Sequence, residues 1–509
     1  MARTTLFDAV QRALRKPVDA SRRRFLAGTA AASAGWALAG CATRPMLRAR
    51  SNDAHVLVVG AGLGGLVVAH RLAQAGVRVT VVEAQSRVGG RTHTLREYFG
   101  RGSAVELGGE RIDSGHVHLR RLVTELGLAL DDVSTDTGPS ELFWFGGVRR
   151  SQTELAEALG PLGKAAAREL AQLTPGGTVG YRNPRGAERL DHLSLAQWLD
   201  GVGASGWPRT LIETAYRAEF GREPGEQSAL NLLLMMDPAT SPPALMGESD
   251  ERFRVRGGND QLASRLAAGL APQVETETAL ESIRLRPDGQ YVSTLRRGAT
   301  SQEAIASHVV LALPFTRLRQ VDLRIALSPR KRLAIDTLGY GTNAKLLVGF
   351  SARYWRPTHD GTVLTDSALQ MCWDATRLSS GEGGVLTQYF GGDAGVAMGA
   401  DTVARHAERF VGQLEPILPG ASAHRAGQPH ARFHWPTFPY TLGSYACYTP
   451  GQWTSLGGVE REPVERLFFA GEHCSQDAQG FMEGACETGE WAARDIVGQI
   501  NWKGRDASA

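Results

Sequence analysis

His55-Val56-Leu57-Val58-Val59 runs without a break into Gly60-Ala61-Gly62-Leu63-Gly64-Gly65. An apolar helical stretch, Leu66 to Ala75, follows and stops at Gly76. A second strand-like run, Val77 to Val82, ends in Glu83-Ala84. A glycine-rich turn alone says little. Set between a strand and a helix, with an acid about 20 residues on, it reads as the phosphate-binding turn of a Rossmann-like unit. Gly60 makes the turn, Gly62 lets backbone approach a pyrophosphate, and Gly65 lets the helix pack on the strand. The helix N-terminus, reached through Gly64, offers free N–H groups to the phosphates. Glu83 can accept from ribose hydroxyls and would repel a 2′-phosphate.

These residues do not separate FAD from NAD. Arg87-Val88-Gly89-Gly90-Arg91-Thr92 adds a second glycine pair just behind Glu83. Gly89 and Gly90 allow close backbone contact and Arg91 can lie against a pyrophosphate, which suits a permanently held, elongated dinucleotide.

Further blocks follow in order. They are Glu106-Leu107-Gly108-Gly109-Glu110-Arg111, Val255-Arg256-Gly257-Gly258-Asn259, Val309-Val310-Leu311-Ala312-Leu313-Pro314, Phe468-Phe469-Ala470-Gly471-Glu472-His473 and Gly480-Phe481-Met482-Glu483-Gly484-Ala485. With the glycine motif and the Arg-Val-Gly-Gly-Arg doublet, this series resembles the flavin amine oxidase superfamily from Val56 to Val497. That group contains monoamine, polyamine and L-amino acid oxidases. The resemblance implies an α/β fold: a Rossmann-like FAD-binding domain with a discontinuous α+β substrate-binding domain. The FAD domain is expected at 54–135, 248–315 and 462–500, and the substrate domain at 136–247 and 316–461. It also implies that Gly108, Gly109, Glu110, Gly471, Glu472, Gly480, Phe481 and Met482 approach the FAD. The helix starting near Gly480 can face the flavin pyrimidine ring, where reduction places negative charge.

Lys345 lies in the strand-like run Ala344-Lys345-Leu346-Leu347-Val348-Gly349-Phe350. The resemblance places it beside the flavin N5, holding a water; the plain alternative is an exposed lysine on an edge strand. Only five of the 56 basic residues are lysines. A chain that prefers arginine for generic charge keeps lysine where a compact ammonium is needed. Tyr445, in Gly443-Ser444-Tyr445, and Phe481 match the walls of the family's aromatic cage. Ser444 stands where some monoamine oxidases carry a flavin-tethering cysteine, so non-covalent FAD is expected.

Arg111 and Tyr389 decide the substrate. The resemblance to L-amino acid oxidases makes Arg111 the grip on a substrate carboxylate, with Tyr389 sharing it. A guanidinium can hold a carboxylate through two parallel N–H bonds and a phenol can add a third. Pairing of Arg111 with Glu106 or Glu110 is the structural alternative. The leading expectation is oxidation of an L-amino acid to a 2-oxo acid, ammonia and hydrogen peroxide. Dioxygen or a membrane-side acceptor would take the electrons. A mono- or polyamine oxidase, an amino-acid monooxygenase, and a non-catalytic flavin electron-transfer partner are the alternatives.

Composition fits a folded enzyme, with 42% hydrophobic and 21% charged residues in 509. The net charge of +3 is carried by the start of the chain. Seven basic and two acidic side chains precede Cys41, a balance of +5, so the remainder sums to −2 and no basic stripe argues for nucleic acid. Ser21-Arg22-Arg23-Arg24-Phe25-Leu26 and the small, apolar run Ala27 to Ala39 read as a twin-arginine export signal. Leu38-Ala39-Gly40-Cys41 resembles a lipobox, so a periplasmic or membrane-anchored lipoprotein is expected, against ordinary cleavage after Ala39. Cys372, Cys447, Cys474 and Cys486 form no CxxC pair and no metal site is expected. A helical stripe of Leu155, Leu159, Leu162, Ala166, Leu170 and Leu173 is expected to break at Gly160-Pro161. Oligomeric state, including a homodimer, is left open.

Overall fold

The computed structural model describes residues 54–136, 142–235 and 249–506. The export signal and lipobox lie outside these residues.

A five-stranded parallel sheet is built from strands far apart in the chain. Its spatial order is Leu467–Phe469, His308–Leu311, His55–Val59, Arg78–Val82, Val274–Glu275. The strand His55–Val59 sits at its centre, and four of its five residues are buried, as a strand covered on both faces requires. Chain order reverses beside this strand, so its carboxyl end and that of His308–Leu311 open a crevice, the place where such sheets bind ligands. The turn helix runs from Leu63 to Gln74, three residues earlier than the apolar pattern suggests, because Gly64 and Gly65 form its first turn. The last helix, Met482–Asp506, lies against it. A Cβ on Gly489 would stand 2.8 Å from Gly64 O, so that glycine permits the close crossing.

A seven-stranded sheet forms the second layer. Its order is His430–His434, Ala344–Phe350, Gly384–Phe390, Met371–Asp374, Val363–Thr365, Leu142–Phe145, Val148–Arg150. Every residue of Ala344–Phe350 and Gly384–Phe390 is buried. Lys345 is therefore on an interior strand, not an edge. The antiparallel register sets Lys345 opposite Tyr389 and Tyr389 opposite Met371, so Lys345, Tyr389 and Trp373 share one face. A four-stranded sheet, Thr300–Ala306, Tyr291–Arg297, Thr278–Leu285 and Asp322–Arg324, flanks the crevice.

The expected break at Gly160-Pro161 does not occur. A single helix, Gln152–Leu170, runs through Pro161, opened by a Ser151–Glu154 capping box. Leu155, Leu159, Leu162 and Ala166 are buried along one face, and that burial outweighs the roughly 3 kcal/mol cost of an interior proline. All four cysteines of the described residues are buried, and no disulfide joins any two of them. No helix of the described residues is long and apolar enough to cross a membrane.

Candidate active site

The crevice is a cavity of about 510 Å³ whose lining includes Gly60, Gly62, Glu83, Ala84, Gly90 and Arg91. Gly89, Gly471, Glu472, Phe481 and Met482 line it as well. A Cβ on Gly65 would stand 2.0 Å from Gly60 O, whereas one on Gly62 would meet nothing within 4 Å. The first glycine is thus demanded by the turn itself and the second leaves room for something outside the chain. Gly62 caps the helix Leu63–Gln74 without a side-chain hydrogen bond, so the helix N-terminus keeps N–H groups for an anion. Glu83 accepts from Ala61 N (2.8 Å) and Gln85 N (2.9 Å), which fixes it at the end of the second strand. Burial pushes its carboxyl up against those bonds. This arrangement fits a dinucleotide: open backbone at a helix start for the pyrophosphate and an acid placed for a ribose.

Arg91 also lines the crevice and is held by the chain. Its Nη1 donates to Ser444 O and to Glu472 Oε1, both at 2.6 Å. Burial pushes the Glu472 carboxyl up, but Arg91 and His473 together hold it below the usual range. Its other oxygen accepts from Gly480 N at 2.9 Å, tying the last helix to the cofactor loop. A Cβ on Gly108 would stand 1.9 Å from Arg91 O, and Gly109 N donates to the same carbonyl. Ser444 is buried and donates to Asn343 Oδ1.

The shared face of the second sheet meets the segment Glu106 to Arg111. Lys345 Nζ donates to Glu106 O (3.0 Å), Gly108 O (3.0 Å) and Glu110 Oε2 (2.8 Å). Those contacts engage all three of its protons. Trp373 Nε1 donates to Glu110 Oε1 at 2.9 Å. Burial pushes the Glu110 carboxyl up, but Lys345 and Arg111 bring it net below the ordinary range. Glu110, expected at the cofactor, is thus the hub of a buried polar unit. Trp373 carried no local signal; only strand register brings it to Glu110.

Arg111 is 3% exposed. None of its guanidinium nitrogens has a hydrogen-bond partner among the described residues, and its one carboxylate contact is Glu110 Oε1 at 3.8 Å. No ion pair to Glu106 forms among them. Tyr389, packed edge-on against Trp373, places its hydroxyl 3.2 Å from that of Tyr445. Tyr445 donates to Glu219 O, on the helix Gly206–Phe220. Phe481 lines the cofactor crevice and also a second cavity of about 770 Å³.

The family model of flavin-containing amine oxidoreductases matches residues 63–497. A second model, of pyridine nucleotide-disulphide oxidoreductases, matches 21–101. The chain is 26% identical over 454 residues to a putative flavin-containing monoamine oxidase, AofH, of Mycobacterium tuberculosis, covering 87% of this chain and 96% of the relative. It is 26% identical over 477 residues to an L-amino acid dehydrogenase of Synechocystis (89% and 97%). An L-amino-acid oxidase of Protobothrops flavoviridis is 26% identical over 464 residues (88% and 90%). Cyclohexylamine oxidase from Brevibacterium oxydans superposes with a TM-score of 0.76 at 23% identity, over 88% of this chain and 99% of the other.

Proposed function

The chain belongs to the flavin-containing amine oxidoreductases, and on that premise we propose that its substrate is an L-amino acid, oxidised at the α-amino group. The family makes it an oxidoreductase acting on CH–NH2 groups, with FAD as cofactor. The observation that carries the finer reading is Arg111: a buried guanidinium whose nitrogens have no hydrogen-bond partner among the described residues. Leaving buried donors without acceptors is costly. The one carboxylate within 4 Å of Arg111, that of Glu110 at 3.8 Å, is shared with Lys345, which it meets at 2.8 Å. A substrate carboxylate would give the guanidinium the acceptors it lacks, whereas a plain amine would not.

In this reading Arg111 holds the carboxylate through its fork and Tyr389 adds a hydroxyl donor. Tyr445 and Phe481 wall the reacting carbon and keep water from it. Lys345, saturated by two carbonyls and Glu110, acts as a fixed charge that positions the segment carrying Arg111. FAD, when bound, supplies the two-electron acceptor and is held without a covalent tether, since Ser444 stands at the tethering position. Loss of a hydride from Cα and a proton from the neutral amine leaves an imino acid. Water then hydrolyses it to a 2-oxo acid and ammonia, and dioxygen is the proposed final acceptor, giving hydrogen peroxide.

Anaerobic bleaching of the purified holoenzyme tests this. L-Amino acids should bleach the flavin and their decarboxylated amines should not. Bleaching by amines alone would make Arg111 structural and the protein an amine oxidase.

The first 41 residues support a further part of the reading: export through the twin-arginine route and a lipid anchor at Cys41. Mass spectrometry of the mature N-terminus should show a lipidated Cys41; an unmodified start at Gly40 would refute the anchor.

A further inference from the structure

Four residues separate Arg111 from His116, and the turn they form leads from the carboxylate grip to the cage wall. The imidazole of His116 packs edge-on to the Phe481 ring, with centroids 5.0 Å apart and planes at 68°. Both side chains are buried. The mechanism above gives no part to His116 or to Asp113.

The imidazole is itself held. Its Nδ1 accepts from Asp113 N at 3.0 Å, which leaves the proton of the neutral ring on Nε2. Nε2 lies 3.3 Å from Asp113 Oδ2. The other carboxylate oxygen, Oδ1, accepts from Glu251 N at 2.7 Å, and Ile112 N donates to Phe253 O at 2.8 Å. One acidic residue thus meets both ring nitrogens, and the segment from Glu251 to Phe253 anchors the turn that carries it.

A second tie joins the same two pieces of chain. Glu483, two residues past Phe481, accepts from His118 N (2.9 Å) and Leu119 N (2.8 Å) in the first turn of the helix Val117–Glu125. A carboxylate there meets free N–H groups at the positive end of a helix. The start of the last helix is therefore fastened to the chain just after Arg111 by a ring contact and by charge-assisted hydrogen bonds. Phe481 needs such a hold. It lines both the cofactor crevice and the cavity of about 770 Å³, which His116 and Asp113 line with it. A ring bordering two open spaces has fewer atoms packed against it, so each contact it keeps weighs more in its orientation.

We propose that His116 is a positioning residue of the reaction: fixed by Asp113, its imidazole sets the orientation of the Phe481 ring towards the reacting carbon. The turn from Arg111 to His116 then sets the grip and one cage wall relative to each other. The inference rests on the reading of Phe481 as a cage wall, and not on the choice between amino acid and amine.

The test measures kcat and KM on whichever L-amino acid or amine bleaches the holoenzyme, with rates taken per bound flavin so that loss of folded protein does not enter. The variants are His116→Gln, His116→Phe, Phe481→Ala and the double variant of His116→Gln with Phe481→Ala. Phe481→Ala should lower kcat by about 10- to 100-fold. His116→Gln keeps an acceptor for Asp113 N but loses the ring, and should lower kcat by about 10-fold at nearly constant KM. His116→Phe keeps a ring edge without the bond to Asp113 and should fall between wild type and His116→Gln. In the Phe481→Ala background His116→Gln should cost less than about 2-fold, since a residue acting through Phe481 has nothing left to position. An equal loss from His116→Gln in both backgrounds, a wild-type kcat in His116→Gln, or a His116→Phe no better than His116→Gln would overturn the inference and leave the cage reading intact. A wild-type kcat in Phe481→Ala would overturn the cage reading, and the inference with it.

Discussion

Glu110 Oε2 lies 2.8 Å from Lys345 Nζ, and both side chains are almost completely buried. Because Lys345 also grips Glu106 O and Gly108 O, one lysine pins the backbone that positions Glu110 and Arg111. Trp435 Nε1 holds Leu107 O between those two carbonyls. The second sheet thereby fixes a segment that also abuts the cofactor crevice, since Gly109 N donates to the Arg91 carbonyl. The same carboxylate that neutralises Lys345 is the nearest one to Arg111, so a loss at Glu110 is felt at both cations.

Glu110→Gln should therefore destabilise the protein by roughly 3–5 kcal/mol in urea titration, since it leaves a buried ammonium uncompensated. Adding Lys345→Met should recover part of that loss, because the pair is then removed together. The pH dependence has a definite sign. The folded Glu110 carboxyl titrates below its unfolded value of 4.5, so its contribution is full above that value and fades as pH falls through the folded one. Wild-type stability should drop in that acid window more steeply than that of Glu110→Gln. Equal slopes would show that Glu110 is not ionised in the fold.

Glu106 should behave in the opposite way. Burial pushes its carboxyl up to about 8, against hydrogen bonds from Asn259 N and Thr94 Oγ1. A group whose folded value exceeds 4.5 holds its proton more tightly when folded. Its contribution therefore falls as pH rises from the unfolded value towards about 8, by at most about 1.4 kcal/mol per pH unit. Glu106→Gln keeps an acceptor for Asn259 N and lacks that slope. Between pH 5.5 and 8 the variant should gain roughly 2–3 kcal/mol on the wild type. A constant difference across that range would refute the raised value.

The two glycines of the turn should separate folding from cofactor retention. Gly65→Ala places a Cβ 2.0 Å from Gly60 O, so the turn cannot close and soluble protein should be lost. Gly62→Ala meets no protein atom within 4 Å, so circular dichroism should match the wild type. The ratio of flavin to protein absorbance should nevertheless fall, because the methyl enters the space left for the pyrophosphate. Full flavin content in Gly62→Ala would show that the cofactor passes elsewhere.

Local motifs made the cofactor crevice legible, because turn, helix start and acid lie within one short stretch of chain from Gly60 to Glu83. The strand Ala344–Phe350 was legible for the same reason: its period and length are local. What escaped depends on register. Nothing near Trp373 announces that it meets Glu110; the pairing of Met371–Asp374 with Gly384–Phe390 does that. Lys345 was placed correctly in a strand, but its partners come from more than 200 residues upstream. Pro161 was misread because a proline in a helical pattern is usually a stop, and the burial that carries the helix past it is tertiary.

Three variants should rank in a fixed order if Arg111 and Tyr389 grip a carboxylate. Arg111→Ala removes both the charge and the fork, and KM for an L-amino acid should rise most, by about 1000-fold or more. Arg111→Lys keeps a charge but offers a point donor in place of a planar fork, so KM should rise by an intermediate amount, about 10- to 100-fold. Tyr389→Phe loses one hydroxyl whose present neighbour is the Tyr445 hydroxyl. A hydrogen bond to a charged group contributes about 1.5–3 kcal/mol, so KM should rise about 10-fold at nearly constant kcat. Michaelis–Menten kinetics on one amino acid across the set decides the matter. If Arg111→Lys equals wild type, only the charge matters and the bidentate geometry is refuted. If Tyr389→Phe exceeds Arg111→Ala, the carboxylate is held by the phenol, and Arg111 serves the packing of the Glu110 unit instead.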